Sequence, residues 1–107
     1  MDFNIDEVLA QMLNAVKGEV RENWDLVKGS ANGFLQSRRL RLELLASLRL
    51  KNQISGQFFE DRLKDEKDIM TSELHAIAII SKVTAQNAAN AAIAVLQKAV
   101  DSIIGHV

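Results

Sequence analysis

The sequence of 107 residues contains neither proline nor cysteine. Proline interrupts helices because it lacks a backbone donor and its ring clashes with the preceding turn, so its absence permits long helices. The absence of cysteine excludes disulfides, thiolate metal ligands and a cysteine nucleophile. The sequence also lacks any run of about 18 consecutive apolar residues, which argues against a transmembrane helix.

The composition is that of an ordinary globular protein. Hydrophobic residues make up 48% of the chain and charged residues 25%, and the formal net charge is -1. Such a balance argues against a surface devoted to polyanions. The first ten residues carry acids where a secretory signal would carry basic residues. We therefore expect one domain, residues 1–107, in the cytoplasm.

Apolar residues recur at helical spacing along most of the chain, beginning with a first predicted helix over residues 4–28. Asn4 followed by Glu7 is typical of a capped helix start. Val8, Met12 and Val16 then lie on one stripe. The two glycines of the segment 29–33 predict the end of this helix.

Two further helices are predicted, over residues 33–67 and 71–104, and the boundary between them is ambiguous. Residues 40–44 also alternate with period two, but a lone strand would have no partner. A turn can be placed at 52–56 or at 68–72. From Glu60 to Asp68 the chain carries pairs of opposite charges four residues apart, which support an unbroken helix there. We therefore favour the turn at 68–72.

The predicted fold is an all-α antiparallel bundle of about three long helices, completed by oligomerisation. Some apolar residues fall outside the main stripes and call for further partners. They are Leu42, Leu50, Ile79, Ile93 and Val100. The last helix is rich in small residues that allow close helix approach, so we predict a dimer in which it packs against its copy. The predicted interface comprises Ala88, Ala91, Ala92 and Val95.

Glu66 and Glu73 occupy positions on an apolar stripe, where a buried carboxylate needs a cation, a proton or a metal. A divalent metal between such glutamates would resemble the sites of ferritin-like bundles. That family's glutamate with a histidine three residues later is absent, since His75 follows Glu73 by two residues. The structural alternative pairs Glu66 with Arg62 and places Glu73 in the first turn of the last helix.

A basic cluster lies in the middle of the chain. Residues 29–57 carry a net charge of +4, against -3 for residues 1–28 and -2 for residues 58–107. Arg38, Arg39 and Arg41 form a candidate anion-binding group, and segment 38–51 a candidate nucleic-acid surface. No aromatic residue interleaves with the arginines to stack on bases. A basic helix lying between acidic ones would be neutralised internally instead.

The first functional hypothesis is a non-enzymatic, self-associating helical protein with a structural or adaptor role. No phosphate-binding loop is present, and Ser72 with His75 lacks the acid that a triad needs. We therefore expect neither enzymatic activity nor a resident cofactor. The second hypothesis is the small ferritin-like metal-binding bundle, and the third is nucleic-acid binding through segment 38–51. We expect the chain to interact mainly with a second copy of itself and with a protein partner.

Overall fold

The computed structural model describes residues 3–77 and 80–105. It contains five α-helices and one turn of 3-10 helix. They are α1 (Ile5–Val20), the 3-10 turn (Arg21–Asn23), α2 (Trp24–Ser37), α3 (Arg39–Leu50), α4 (Gly56–Ala76) and α5 (Lys82–Ile104). No strand occurs within the described residues, which confirms the all-α fold class. None of the described helices is both long and apolar enough to cross a membrane.

The helix α5 is the central element of the core, because it packs against both α1 and α4. α2 lies on α1 and α4, and α3 touches α1, α4 and α5. Four alanines of α5, at 85, 88, 89 and 92, have no exposed surface. Their small side chains let neighbouring helices approach α5 closely. The molecule measures 42 × 22 × 21 Å.

The alanine-rich helix serves the chain's own core. Ala88 and Ala92 are fully buried, so the prediction that they meet a second copy is wrong in this fold. Ala91 and Val95 are partly exposed. The apolar residues outside the main stripes are also used internally: Leu42, Ile93 and Val100 are buried and Leu50 packs against the core. Ile79 lies outside the described residues.

The first predicted helix is divided in two. The cap is confirmed, since the Asn4 side chain accepts the Glu7 amide at 3.1 Å. The helix stops at Val20 rather than near residue 28, because Arg21 takes φ 53° and ψ -116°. The glycine-containing segment 29–33 lies inside α2. Its helix continues because one face is buried, and burial outweighs the weak helix propensity of glycine. The buried residues are Val27, Ala31 and Leu35.

The favoured break at 68–72 is wrong, and the alternative near 52–56 is where the chain turns. The Gln53 amide donates to the Leu48 carbonyl at 2.8 Å and the Asn52 amide to the Arg49 carbonyl at 3.1 Å. With Asn52 at φ 58°, these bonds form a Schellman motif that ends α3. Ser55 then caps α4 by accepting the Phe58 amide at 3.0 Å.

The second reversal of the chain lies between α4 and α5. Ser81 caps α5 by accepting the Thr84 amide at 3.1 Å. Thr71, at the favoured break of 68–72, is inside α4 and donates its hydroxyl to the Lys67 carbonyl at 2.9 Å. Local cap chemistry is therefore satisfied at Ser55 and Ser81, and the predicted boundaries 33–67 and 71–104 are replaced by those of α3, α4 and α5.

The backbone of Arg21 gives the first prediction. Its φ of 53° with ψ of -116° suits glycine and strains other residues by about 1–3 kcal/mol. Replacing Arg21 with glycine adds roughly 0.5–1 kcal/mol of unfolded-state entropy. We expect Arg21→Gly to raise the free energy of unfolding by about 1 kcal/mol, measured by urea denaturation. The control Gln11→Gly, in the exposed middle of α1, should lower it; a loss in both variants would contradict the strain.

Candidate functional site

Glu66 is the only charged or polar residue among those described that is buried, with 3% of its surface exposed. It lies in α4 on the same face as Leu63 and Met70, both buried. A carboxylate in such surroundings is costly unless ionic partners and hydrogen bonds replace its water. The sequence correctly placed Glu66 on a core-facing stripe.

Two arginines bind the Glu66 carboxylate. Arg38 holds both oxygens, with Nη2 donating to Oε1 at 2.6 Å and Nε to Oε2 at 2.9 Å. Arg41 Nε donates to Oε1 at 2.7 Å. We call these three residues the Glu66 cluster. Paired hydrogen bonds of this kind, between a planar guanidinium and a carboxylate, are among the strongest in proteins.

The Glu66 cluster is assembled by the turn that joins α3 to α4. Residues 51–55 reverse the chain, so the beginning of α3 lies beside the middle of α4. Arg38 is the single residue between α2 and α3, and its amide donates to the Phe34 and Leu35 carbonyls at 3.1 Å. One ion pair therefore fixes the α2–α3 joint against α4.

The electrostatics of the Glu66 cluster are those of a permanent ion group. Hydrogen bonding to Glu66 raises the pKa of Arg38 further above its ordinary value, against the opposing effect of burial. Arg38 therefore stays charged at all ordinary pH values, and Arg41 is the second arginine in contact with Glu66. Their side chains are 26% and 57% exposed, so water reaches the cations while the carboxylate stays dry.

The structure separates the two glutamates that were predicted to share a metal. Glu73 is exposed, in the C-terminal half of α4, and does not lie on the buried stripe. No group of three or more metal-binding side chains occurs within residues 3–77 and 80–105. The structural alternative also fails in its details. Arg62 pairs with Asp65 at 3.1 Å instead of Glu66, and Glu73 does not belong to the last helix.

The predicted anion-binding arginines are engaged within the chain. Arg38 and Arg41 bind Glu66. Arg39 Nε donates to Asp6 Oδ1 at 2.9 Å, and its Nη2 donates to Oδ2 at 3.4 Å. The hydrogen bonds and charge of Arg39 lower the pKa of Asp6. Asp6 on α1 and Glu66 on α4 thus offset two of the four net positive charges of residues 29–57.

The helical spacing of Leu40, Leu44 and Leu48 predicts the apolar face of the second helix, but on α3 they form a row at the surface. Leu40 is 74% exposed and Leu44 57%, and Leu48 is half-buried one turn further on. We call these three residues the leucine face. The period-two alternation over residues 40–44 was its signal. Residues two apart lie on different sides of a helix, so burial of Leu42 leaves Leu40 and Leu44 outside.

The chain matches no protein-family model, no curated protein and no solved structure. Its function must therefore be argued from its own surfaces. Within the described residues these are the Glu66 cluster, the leucine face and the grooves between helices.

The Glu66 cluster should respond asymmetrically to substitution. In the double variant Arg38→Gln with Arg41→Gln, the carboxylate remains buried without a cation, which should cost about 3 kcal/mol. Glu66→Leu should cost less than about 1 kcal/mol, because the arginines can turn to water and an apolar side chain suits the site. Urea denaturation measures both. Adding Glu66→Leu to the double variant should restore most of the loss; equal costs for all variants would contradict this account.

The Asp6–Arg39 pair gives a pH prediction. Because the pKa of Asp6 is lowered in the folded state, the pair contributes stability above the unfolded-state pKa of Asp6. This contribution is lost as the pH falls through the folded-state pKa. In Arg39→Gln the pKa of Asp6 should rise to its ordinary value, as followed by NMR titration of its carboxyl carbon. Arg49→Gln removes the same charge elsewhere and should leave Asp6 unchanged; an unaltered pKa in Arg39→Gln would contradict the pairing.

Proposed function

We propose that this protein is a non-enzymatic helical protein that works by self-association, and that the leucine face forms the contact between two copies. The observation that carries the proposal is the exposure of Leu40 and Leu44 one turn apart on the same side of α3. Two such helices can pack antiparallel through identical leucines, as a two-fold dimer requires. The contact surface therefore moves from α5, as first predicted, to α3.

The helix α4 also carries exposed apolar residues. Phe58 is 48% exposed and Ile69 40% exposed. Arg62 lies between them along α4, with its guanidinium 5.3 Å from the centre of the Phe58 ring. Residues spaced by four and seven share a side of a helix, so these three form one strip. Exposed leucine, phenylalanine and arginine side chains of this kind are typical of protein contacts.

The charges around the leucine face favour a second copy over a polyanion. Arg39 and Arg41, which flank Leu40, are both held by acids of their own chain. Arg38, Arg39 and Arg41 together face two carboxylates, Asp6 and Glu66, so these acids reduce the repulsion that two net-positive α3 helices exert on each other. The same pairing weakens attraction to phosphates, because an arginine held by a carboxylate is less able to displace the counterions that surround a phosphate.

The size of the face decides how tight the contact is. Burial of one fully exposed leucine contributes about 1.5–3 kcal/mol; with Leu40 74% and Leu44 57% exposed, the four leucines of a two-fold contact contribute roughly 4–8 kcal/mol. Association itself costs about 4–15 kcal/mol in lost motion and ordering. The two quantities nearly balance, so the dimer should be reversible and dependent on concentration.

Self-association is tested by sedimentation velocity over a wide range of protein concentration. The wild-type protein should shift from monomer to dimer as the concentration rises. Leu40→Gln with Leu44→Gln should remain monomeric, because the contact loses its apolar core, while the helical circular dichroism is retained. The matched control is Leu26→Gln with Val83→Gln, which removes two leucine-sized exposed residues elsewhere, each 64% exposed, and should dimerise normally.

Two results would contradict the proposal. A wild-type protein that stays monomeric at every concentration would exclude self-association. A leucine-face variant that dimerises like the wild type would place the contact elsewhere. The role within an assembly, structural or adaptor, rests on this contact.

The two other hypotheses stay predictions with less support. A metal shared by Glu66 and Glu73 of several chains would have to displace two arginines from Glu66. Nucleic-acid binding through segment 38–51 would have to compete with Asp6 and Glu66 for three of its cations.

A further inference from the structure

A polar groove runs along the contact between α4 and α5, on a different side of α4 from Phe58. It consists of two depressions with volumes of about 410 Å³ and 380 Å³. Both are lined by Lys67 of α4 and Asn90 of α5, so they are continuous. The first extends to Lys82 at the start of α5.

The groove holds cations that have no ionic partner in the part of the chain that the structure describes. Lys64, Lys67 and Lys82 line it, and none forms an ion pair within the described residues. Asp68 and Glu60 also line it, which leaves a net charge of +1 from these five side chains. Arg39 and Arg41 of α3, by contrast, are held by Asp6 and Glu66.

The α5 side of the groove carries carboxamides where stability alone would favour other residues. Asn87 and Asn90 are exposed in the interior of α5, beside buried alanines. Asparagine is a poor helix former compared with alanine, lysine or glutamine, and packing does not select it at an exposed position. Residues that weaken a helix without a packing role are expected where a site requires their hydrogen bonds.

We propose that this groove binds a phosphate ester of a small polyol. The ammonium groups of Lys67 and Lys82 hold the phosphate, since lysine binds phosphate as a point charge without a fixed fork geometry. The N-terminus of α5, where Lys82 lies, adds a favourable dipole for the anion. Asp68 accepts from the ligand's hydroxyl groups, and the carboxamides of Asn87 and Asn90 both donate to and accept from them. The site requires neither a metal nor the leucine face.

The probe is glycerol phosphate, titrated into isotope-labelled full-length protein and followed by amide NMR shifts. Saturable shifts should appear in residues 64–72 and 82–90 and not along α1. Glycerol alone should give no saturable shifts, because it carries no negative charge for the lysines to bind. Inorganic phosphate should bind more weakly, because it lacks the hydroxyls. Binding of inorganic phosphate as tight as that of the ester would overturn the polyol part of the proposal.

Variants separate the site from general charge and from folding. Lys67→Gln with Lys82→Gln should weaken binding by at least about tenfold. Lys17→Gln with Lys98→Gln removes the same charge outside the groove and should bind like the wild type. Asn90→Ala should raise the thermal midpoint yet weaken binding, a combination that a purely structural residue would not give. Linear, unsaturable shifts, or equal losses in both lysine pairs, would overturn the site. The groove's binding should persist in Leu40→Gln with Leu44→Gln, whatever its oligomeric state.

Discussion

The burial of one carboxylate is the constraint on which the arrangement of α2, α3 and α4 depends. Glu66 lies among apolar side chains of α4, and its only described ionic partners come from Arg38 and Arg41. An unpaired buried charge is far more costly than a surface one. Any arrangement that moved α3 away from α4 would therefore leave the Glu66 carboxylate buried without a cation and destabilise the fold. The Glu66 cluster adds little to the free energy of unfolding compared with apolar residues at the same place. Its effect is on specificity: it sets the register of α3 against α4 and fixes the bend between α2 and α3.

The rest of the fold follows from side-chain size. Ala85, Ala88 and Ala92 of α5 are fully buried, which lets α1 and α4 approach the same central helix. Large side chains from α1 and α4, such as Met12 and Leu63, belong to the same buried core as these alanines. Close packing of this kind satisfies the apolar surface of α5 within one chain. It therefore removes the main reason for expecting α5 to pack against a second copy, whereas α3 carries Leu40, the most exposed large apolar residue among those described.

What the sequence can predict here depends on whether the signal is local. The cap at Asn4, the all-α class and the burial of Glu66 follow from spacing alone, and each is confirmed. The break at Arg21 has no local signal, since the helical pattern passes through it. The glycines at 29 and 33 give a false signal, because burial of Val27, Ala31 and Leu35 outweighs their propensity. The partner of Glu66 lies 28 residues away in Arg38, and no periodicity reports a contact at that range. The cap at Ser55 does have a local signal. The charge pairs of α4 are compatible with a turn at 52–56 as well as with one at 68–72.

Arginine and lysine have different roles in this protein. For this reason the net charge of a segment does not predict which surface is available to an anion. Segment 29–57 has a net charge of +4, yet three of its arginines are held by carboxylates of the same chain. Segment 58–107 is acidic overall, yet it contributes three lysines to one groove without an ion pair among them in the described structure. Arginine suits the first role because its planar fork matches a carboxylate and it is weakly hydrated; lysine keeps its water and remains available to an exchangeable anion. In this protein the availability of cations, rather than their number, decides which surface can bind a phosphate.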